Sequence, residues 1–304
     1  MSQPKTQITH YIPEWVLWKF RVPSLYELDI FTGKTELRAP KKAGSGRDLW
    51  PNDIEDRLSE HDNAAARIYR EKINGKDRIT LTDIERRGFA MWIAHFYVRS
   101  PKRLANIEKF LEEEKHDREG LVADLYRDRA AVLEQIKANN AQAYADTVAE
   151  LGQERADEKI LGYCAHYIRT APAEKFGKAG DIHHHYMRSA STAEYAKILL
   201  GYEWVWLYSH HGFVICDDPL VSWHLASRRW EYGIAREGVE VTMPLTLNVC
   251  LCLQQHAAKQ KTRLHRISRT EARTLNCRQR LSAIKYVYGN SPDILDFVND
   301  PIVG

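Results

Sequence analysis

The chain has 304 residues, 44% of them apolar, with eight Trp and fifteen Tyr, enough to bury at least one substantial core. Its 44 basic and 41 acidic side chains leave a net charge of +3, so bulk charge indicates no class of partner and only local charge distribution can. No apolar run approaches the roughly 18 to 20 residues of a membrane span, the opening MSQPKTQITH lacks a signal-peptide stretch, and the five cysteines include no CxxC pair, which predicts a reduced, cytoplasmic chain outside the membrane.

Residues 8 to 39 read as strands: HYIPEWVLWKF, then LYELDIF, the turn TGK and the short return TELRA. Within HYIPEWVLWKF a strand sets His10, Ile12 and Glu14 against Tyr11, Pro13 and Trp15, so nothing there decides whether His10 is a core residue or belongs to a site. The connector PKKAGSGRD follows, and from Asn52 the pattern becomes helical. Thr82 with Glu85, Ser191 with Glu194 and Ser268 with Glu271 carry the Ser/Thr-x-x-Glu signal that satisfies the free N–H groups of a first helical turn. The stretch FAMWIAHFYV after Thr82 is apolar on nearly every side and predicts a helix enclosed by others.

Residues 102 to 160 contain 24 charged side chains in 59 positions, with Leu121, Leu125, Val132 and Ile136 at helical spacing, which predicts a protruding charged helical hairpin. Such a hairpin is either a solvated face or an arm for a protein partner or self-association. After Tyr202 come short aromatic and β-branched runs: EWVWLY, GFVICDDP, VEVTMPL and NVCLCLQ. The expected fold is therefore one α+β domain over residues 1–304. It has a central helical bundle and a small, mostly antiparallel sheet built from the N-terminal hairpin and the C-terminal strands.

In GFVICDDP the residue before proline is held extended, which fixes Asp218 and lets Asp217 project beside it; Asp-Pro is equally ordinary turn chemistry. At this point HYIPEWVLWKF and FVICDDPLV together resemble the domain of unknown function 4238 family, prokaryotic proteins with an N-terminal HYVP motif and a later DNP motif. Further similarity lies in IEDRLSEHDNAAARI, IERRGFAMWIAHFYVRSP, EVTMPLTLNVCLCL and LNCRQRLSAIKYVYG, in matching order and spacing. Two positions depart from the family pattern: Asp218 stands where asparagine is usual, and His95 where glutamine is expected. The resemblance supports the fold and gives a reason to connect His10 with Asp217, because both defining motifs carry a polar group beside a proline.

His95 and Arg99 stand four apart on the enclosed helix, where a buried cation requires an acidic neighbour. Glu60, Asp217 and Asp218 are the carboxylates available in the resembled segments. His10, Glu60 and Asp217 could hold a divalent metal, magnesium or manganese, with Arg99 on a phosphate; the same groups also suit a buried hydrogen-bonded network without chemistry. His183 to His185 cannot all face one metal from a regular element, His210 and His211 read as hairpin residues, and Cys250 with Cys252 read as small core residues. Between Ala257 and Lys285 there are nine Lys or Arg and one acidic residue, Glu271. Helical spacing puts Arg269, Arg273, Asn276 and Arg280 on one narrow face that suits nucleic-acid phosphates, or neutralisation of the acidic segment 108 to 119.

Three functions stay open. The first is a metal-dependent nuclease or phosphodiesterase, for which a phage-defence or toxin-like role is suggested only by the genomes in which such families occur. The second is a non-enzymatic binding or regulatory protein that recruits a partner through its charged hairpin. The third is an enzyme acting on a small phosphorylated ligand anchored by Arg99, which the lack of GxxxxGKS and GxGxxG fingerprints weakens.

Overall fold

In the computed structural model, which describes residues 8–47, 49–116, 118–170, 187, 191–227, 229–230, 233–255 and 263–299, the aromatic N-terminal stretch breaks at Pro13. β1 (Ile8–His10) pairs antiparallel with β4 (Ser45–Arg47), and the chain then enters the short helix α1 (Glu14–Leu17), where the sequence had suggested an unbroken strand. Proline lacks the N–H that a strand neighbour needs, and its fixed φ of −54° leads into a first turn. Val16 and Leu17 are thereby turned into the core beside Ile12 and Phe20.

The expected hairpin is present as β2 (Tyr26–Asp29) and β3 (Thr35–Leu37). Asp29 Oδ1 accepts the N–H groups of Phe31 and Thr32 at 3.0 and 3.1 Å, and Gly33 takes the left-handed φ of 69° that the turn requires. β2 joins the C-terminal part of the chain through β12 (Tyr286–Gly289), which pairs on its other side with β6 (Ile215–Cys216), giving the order β3-β2-β12-β6. The two β-rich ends therefore share a sheet.

A second sheet has the order β11-β5-β10-β9-β7-β8. It is formed by β11 (His265–Arg266), β5 (Glu203–Tyr208), β10 (Val249–Gln254), β9 (Val239–Pro244), β7 (Val221–His224) and β8 (Arg229–Trp230). Its pairings are antiparallel except β11 with β5. Cys250 and Cys252 are buried in β10 as small core residues, and the five cysteines are free thiols.

α2 (Asn52–Ile68), α3 (Asp83–Arg99) and α9 (Ser191–Leu200) form the helical part of the same unit, with α3 packed against both of the others. Thr82 and Glu85 close a capping box at the start of α3, as Ser268 and Glu271 do for α10 (Arg269–Ser282); α11 (Pro292–Asn299) follows β12. α3 is enclosed as its composition predicts: Phe89, Trp92, Ile93 and Phe96 are buried, and the Phe89 ring centroid lies 6.3 and 6.4 Å from Trp204 and Trp206 of β5. The fold is α+β.

The chain divides into two compact units, Met1–Leu104 with His183–Gly304, and Ala105–Ile182. Beyond α4 (Pro101–His116), the charged segment is not a two-helix hairpin but a run of short helices: α5 (Arg118–Arg127), α6 (Arg129–Asn139), α7 (Ala141–Leu151) and α8 (Gln153–Thr170). Asn140, at a non-helical φ of −140°, and Gly152, at a φ of 77°, interrupt what composition alone reads as continuous helix. Leu125, Leu133, Tyr144 and Leu161 form a separate small core, and Arg169 holds Glu119 through two bonds of 2.8 and 2.9 Å. Among the described residues no helix is long and apolar enough to cross a membrane.

Candidate functional site

The IEDRLSEHDN segment lies in α2, and its side chains sort by helical period. Glu55, Ser59 and Asp62 share one face, whereas Glu60 lies on another and is exposed. Asp62, not Glu60, is therefore the carboxylate that faces Arg99. Arg99 is 1% exposed, and its two terminal nitrogens reach the two Asp62 oxygens at 3.1 and 3.2 Å. Trp92 Nε1 also donates to Asp62 Oδ1 at 2.8 Å, and the Arg99 guanidinium lies 4.1 Å from the Phe96 ring centroid.

His95 has no such partner. It is 2% exposed, neither ring nitrogen has a hydrogen-bond partner among the described residues, and its ring centroid lies 4.4 Å from that of His61 on α2. Burial, reinforced by the neighbouring His61, Arg99 and Arg57, pushes its pKa down to about 3. The side chain is a neutral packing element at physiological pH, not a proton donor.

α1, β1 and α2 enclose a cleft of about 440 Å³ lined by His10, Trp15, Trp18, Glu55, Ser59 and Asp62, among others. Trp15 is stacked on Trp92 at 5.4 Å and fixes α1 over the buried helix. His10 Nε2 lies 3.3 Å from the Lys41 carbonyl oxygen, which orients the ring. Trp50 Nε1 donates to Glu55 Oε2 at 2.8 Å. Burial raises the Glu55 pKa above the ordinary carboxylate value, against the opposing pull of the Trp50 bond and of the Arg99 and His10 charges. The cleft thus holds the His10 imidazole and the Glu55 carboxyl group, beside a second carboxylate locked by arginine.

His10 and Asp217 are not brought into one cluster. His10, the last residue of β1, lines the cleft, whereas its neighbour Tyr11, beyond the strand, bonds to Tyr288 and feels the charge of Asp217. Asp217 Oδ1 accepts the backbone N–H of Ile284 at 2.7 Å, and Oδ2 accepts those of Lys285 and Tyr286 at 2.8 and 2.9 Å. Its pKa is pushed up to about 6 by burial, against the three N–H donors. Asp218 accepts the Ser282 hydroxyl at 2.9 Å and lies 3.8 Å from Lys102 Nζ; burial raises it as well. Both carboxyl groups fasten the β6 corner to the α10–β12 junction. The expected metal set of His10, Glu60 and Asp217 is accordingly scattered, and no group of three His, Cys, Asp or Glu suited to a metal occurs among the described residues.

The expected arginine face of α10 is interrupted at Asn276. Asn276 is 3% exposed: its Oδ1 accepts Val214 N–H at 3.0 Å and its Nδ2 donates to the Gly212 carbonyl at 3.2 Å. Arg280 donates to the Val298 carbonyl at the end of α11, at 2.6 Å. Arg269 remains exposed and Arg273 and Arg280 are half-buried, so three of the four expected positions stay near solvent and Asn276 does not. The alternative pairing with segment 108 to 119 falls largely on side chains outside the described ones, and His183 to His185 lie outside the described residues.

A family model described as Protein of unknown function (DUF4238) matches residues 9–293. The chain belongs to this family. The matched span contains both the cleft and the Asp217 corner. No match was found among the curated proteins or among the solved structures. Glu55, Asp62 and Ser59 were missed in the sequence although their spacing on one helical face was available; the choice of Glu60 ignored that period.

Proposed function

We propose that the cleft between α1 and α2 is the reacting centre of a ribonuclease-type phosphodiesterase in which Glu55 and His10 act as general base and general acid. The observation that carries this reading is that His10 and Glu55 line one open cleft beside the arginine-locked Asp62. A base and an acid in one cleft suit a substrate that carries its own nucleophile, the ribose 2′-hydroxyl. Glu55 takes the 2′-hydroxyl proton as the oxygen bonds to phosphorus. The bond from phosphorus to the 5′-oxygen breaks, and the protonated His10 gives its proton to that oxygen. The products are a 2′,3′-cyclic phosphate and a free 5′-hydroxyl. Burial of Glu55 favours this role by making its carboxylate a stronger base. The buried thiols suit the reducing cytoplasm.

His10→Ala and Glu55→Gln are each expected to lower cleavage of single-stranded RNA by about a hundredfold or more, with little change in thermal midpoint. Asp217→Ala should instead lower the midpoint, since it orphans three N–H donors. Cleavage should survive a chelator and spare the deoxy strand. Undiminished cleavage by His10→Ala, or loss on chelation, overturns the assignment.

A second reading is favoured by the Ala105–Ile182 unit, which we propose associates with a second copy of the chain. Tyr163 and Tyr167 lie four apart on α8 and are 67% and 52% exposed, with Tyr126 of α5 at 50%. Exposed aromatics at this spacing are a common interface feature. Sedimentation should depend on concentration for the wild type and not for Tyr163→Ser/Tyr167→Ser; a monomer in both cases rejects it.

A further inference from the structure

The reacting cleft has a neighbour of different character. On the other side of α1 a groove of about 430 Å³ is lined by Trp18, Arg21, Leu37, Arg38 and Lys41, and the two hollows share Glu14 and Trp18. Of the ten residues that line the groove, three are cationic and one, Glu14, is acidic. Trp18 and Leu37 remain 46% and 66% exposed, an unusual cost for large apolar groups beside so much charge. The Arg21 guanidinium lies 4.6 Å from the Trp18 ring centroid, and Trp18 Nε1 donates to Glu14 Oε1 at 3.0 Å, which holds the indole upright at the boundary. Glu14 is thereby occupied. Arg38 has Glu27 at 3.5 Å, and Glu27 is itself buried, so the groove surface is positive. The Pro40–Lys42 turn that carries Lys41 is the one whose carbonyl orients His10.

We propose that this groove binds the stretch of a single-stranded nucleic acid next to the reacting phosphodiester. A base lies against Trp18, and the following phosphates lie on Arg21, Arg38 and Lys41. This inference rests on the phosphodiesterase reading for its polarity, because the shared wall at Trp18 is what would carry a strand from the groove into the His10 cleft. Aromatic platforms beside a cationic track hold single strands without sequence preference, since each base has a face to stack and each phosphate a charge.

The test is fluorescence anisotropy with a labelled single strand of 2′-O-methyl RNA, which cannot be cleaved by 2′-hydroxyl attack. The wild type should bind with an affinity that falls with salt. Arg21→Ala/Arg38→Ala/Lys41→Ala should reduce the slope of log affinity against log salt by about 2, close to the single-strand value for three phosphates. Trp18→Ala should weaken binding by at least about fivefold. Trp18 and Arg21 are exposed, so Trp18→Ala and Arg21→Ala alone keep the test valid if the triple variant unfolds. Wild-type affinity and salt slope in these variants overturn the inference, as does binding to phosphatidylserine vesicles with none to the strand. His10→Ala separates this proposal from the previous one. If it binds like the wild type and no protein cleaves RNA, the groove stands and the reacting centre falls. If RNA is cleaved and the groove variants bind unchanged, the reverse holds.

Discussion

Acidification from about pH 7 to about pH 5 is expected to remove about 2 kcal/mol of folding stability through His95 alone. In the fold its pKa is pushed down to about 3 from the ordinary 6.5, because a charged imidazole there would be desolvated beside His61, Arg99 and Arg57. The unfolded chain binds a proton as pH drops through the ordinary histidine range, and the folded chain does not. Stability from the neutral side chain is therefore complete above that range and is lost progressively as pH falls toward the folded value. Urea unfolding across this range should show the loss as the difference between the wild type and His95→Gln, since Asp217, raised to about 6 in the fold, contributes in the opposite direction in both. His95→Gln, the residue that the family pattern leads one to expect, should flatten the curve whatever its own stability at neutral pH. An equal pH slope in the two proteins would show that His95 is protonated in the fold or exposed to water.

The same helix shows how far sequence carried the site. That Arg99 needed a carboxylate followed from burial alone, and the enclosed character of FAMWIAHFYV with the Thr82 capping box fixed α3. Which carboxylate it would find depended on the rotation of α2, and there Asp62 and Glu60 differ by two residues and therefore by slightly more than a half-turn. His10 and Tyr11 present the same difficulty where β1 ends: one residue separates the side chain that lines the cleft from the one that feels Asp217. β12 escaped notice because YVYG is too short to show alternation; its place is fixed by pairing with β2 and β6. The charged segment misled for another reason. Composition reports a solvated helical surface, but Asn140 and Gly152 set where each helix stops.

Asp62→Ala is expected to be the most damaging single substitution in the Met1–Leu104 and His183–Gly304 unit, costing about 3 to 5 kcal/mol. It strands the Arg99 guanidinium, whose side chain is 1% exposed, and takes away the acceptor of Trp92 Nε1 in the same step. Arg99→Met should cost less. Asp62 keeps 18% of its side chain exposed at the cleft, so its carboxylate can turn toward water when the arginine is removed, while methionine fills the space over Phe96. The double variant should be more stable than Asp62→Ala alone, because no charge is then left buried; additive losses in the double would mean that the pair is not coupled. The cleft responds in a different order. On the proposed phosphodiesterase reading, Arg99 would act only by holding Asp62 in the cleft wall, so Arg99→Met should impair RNA cleavage beyond its modest effect on melting, whereas a merely structural ion pair would change both in proportion.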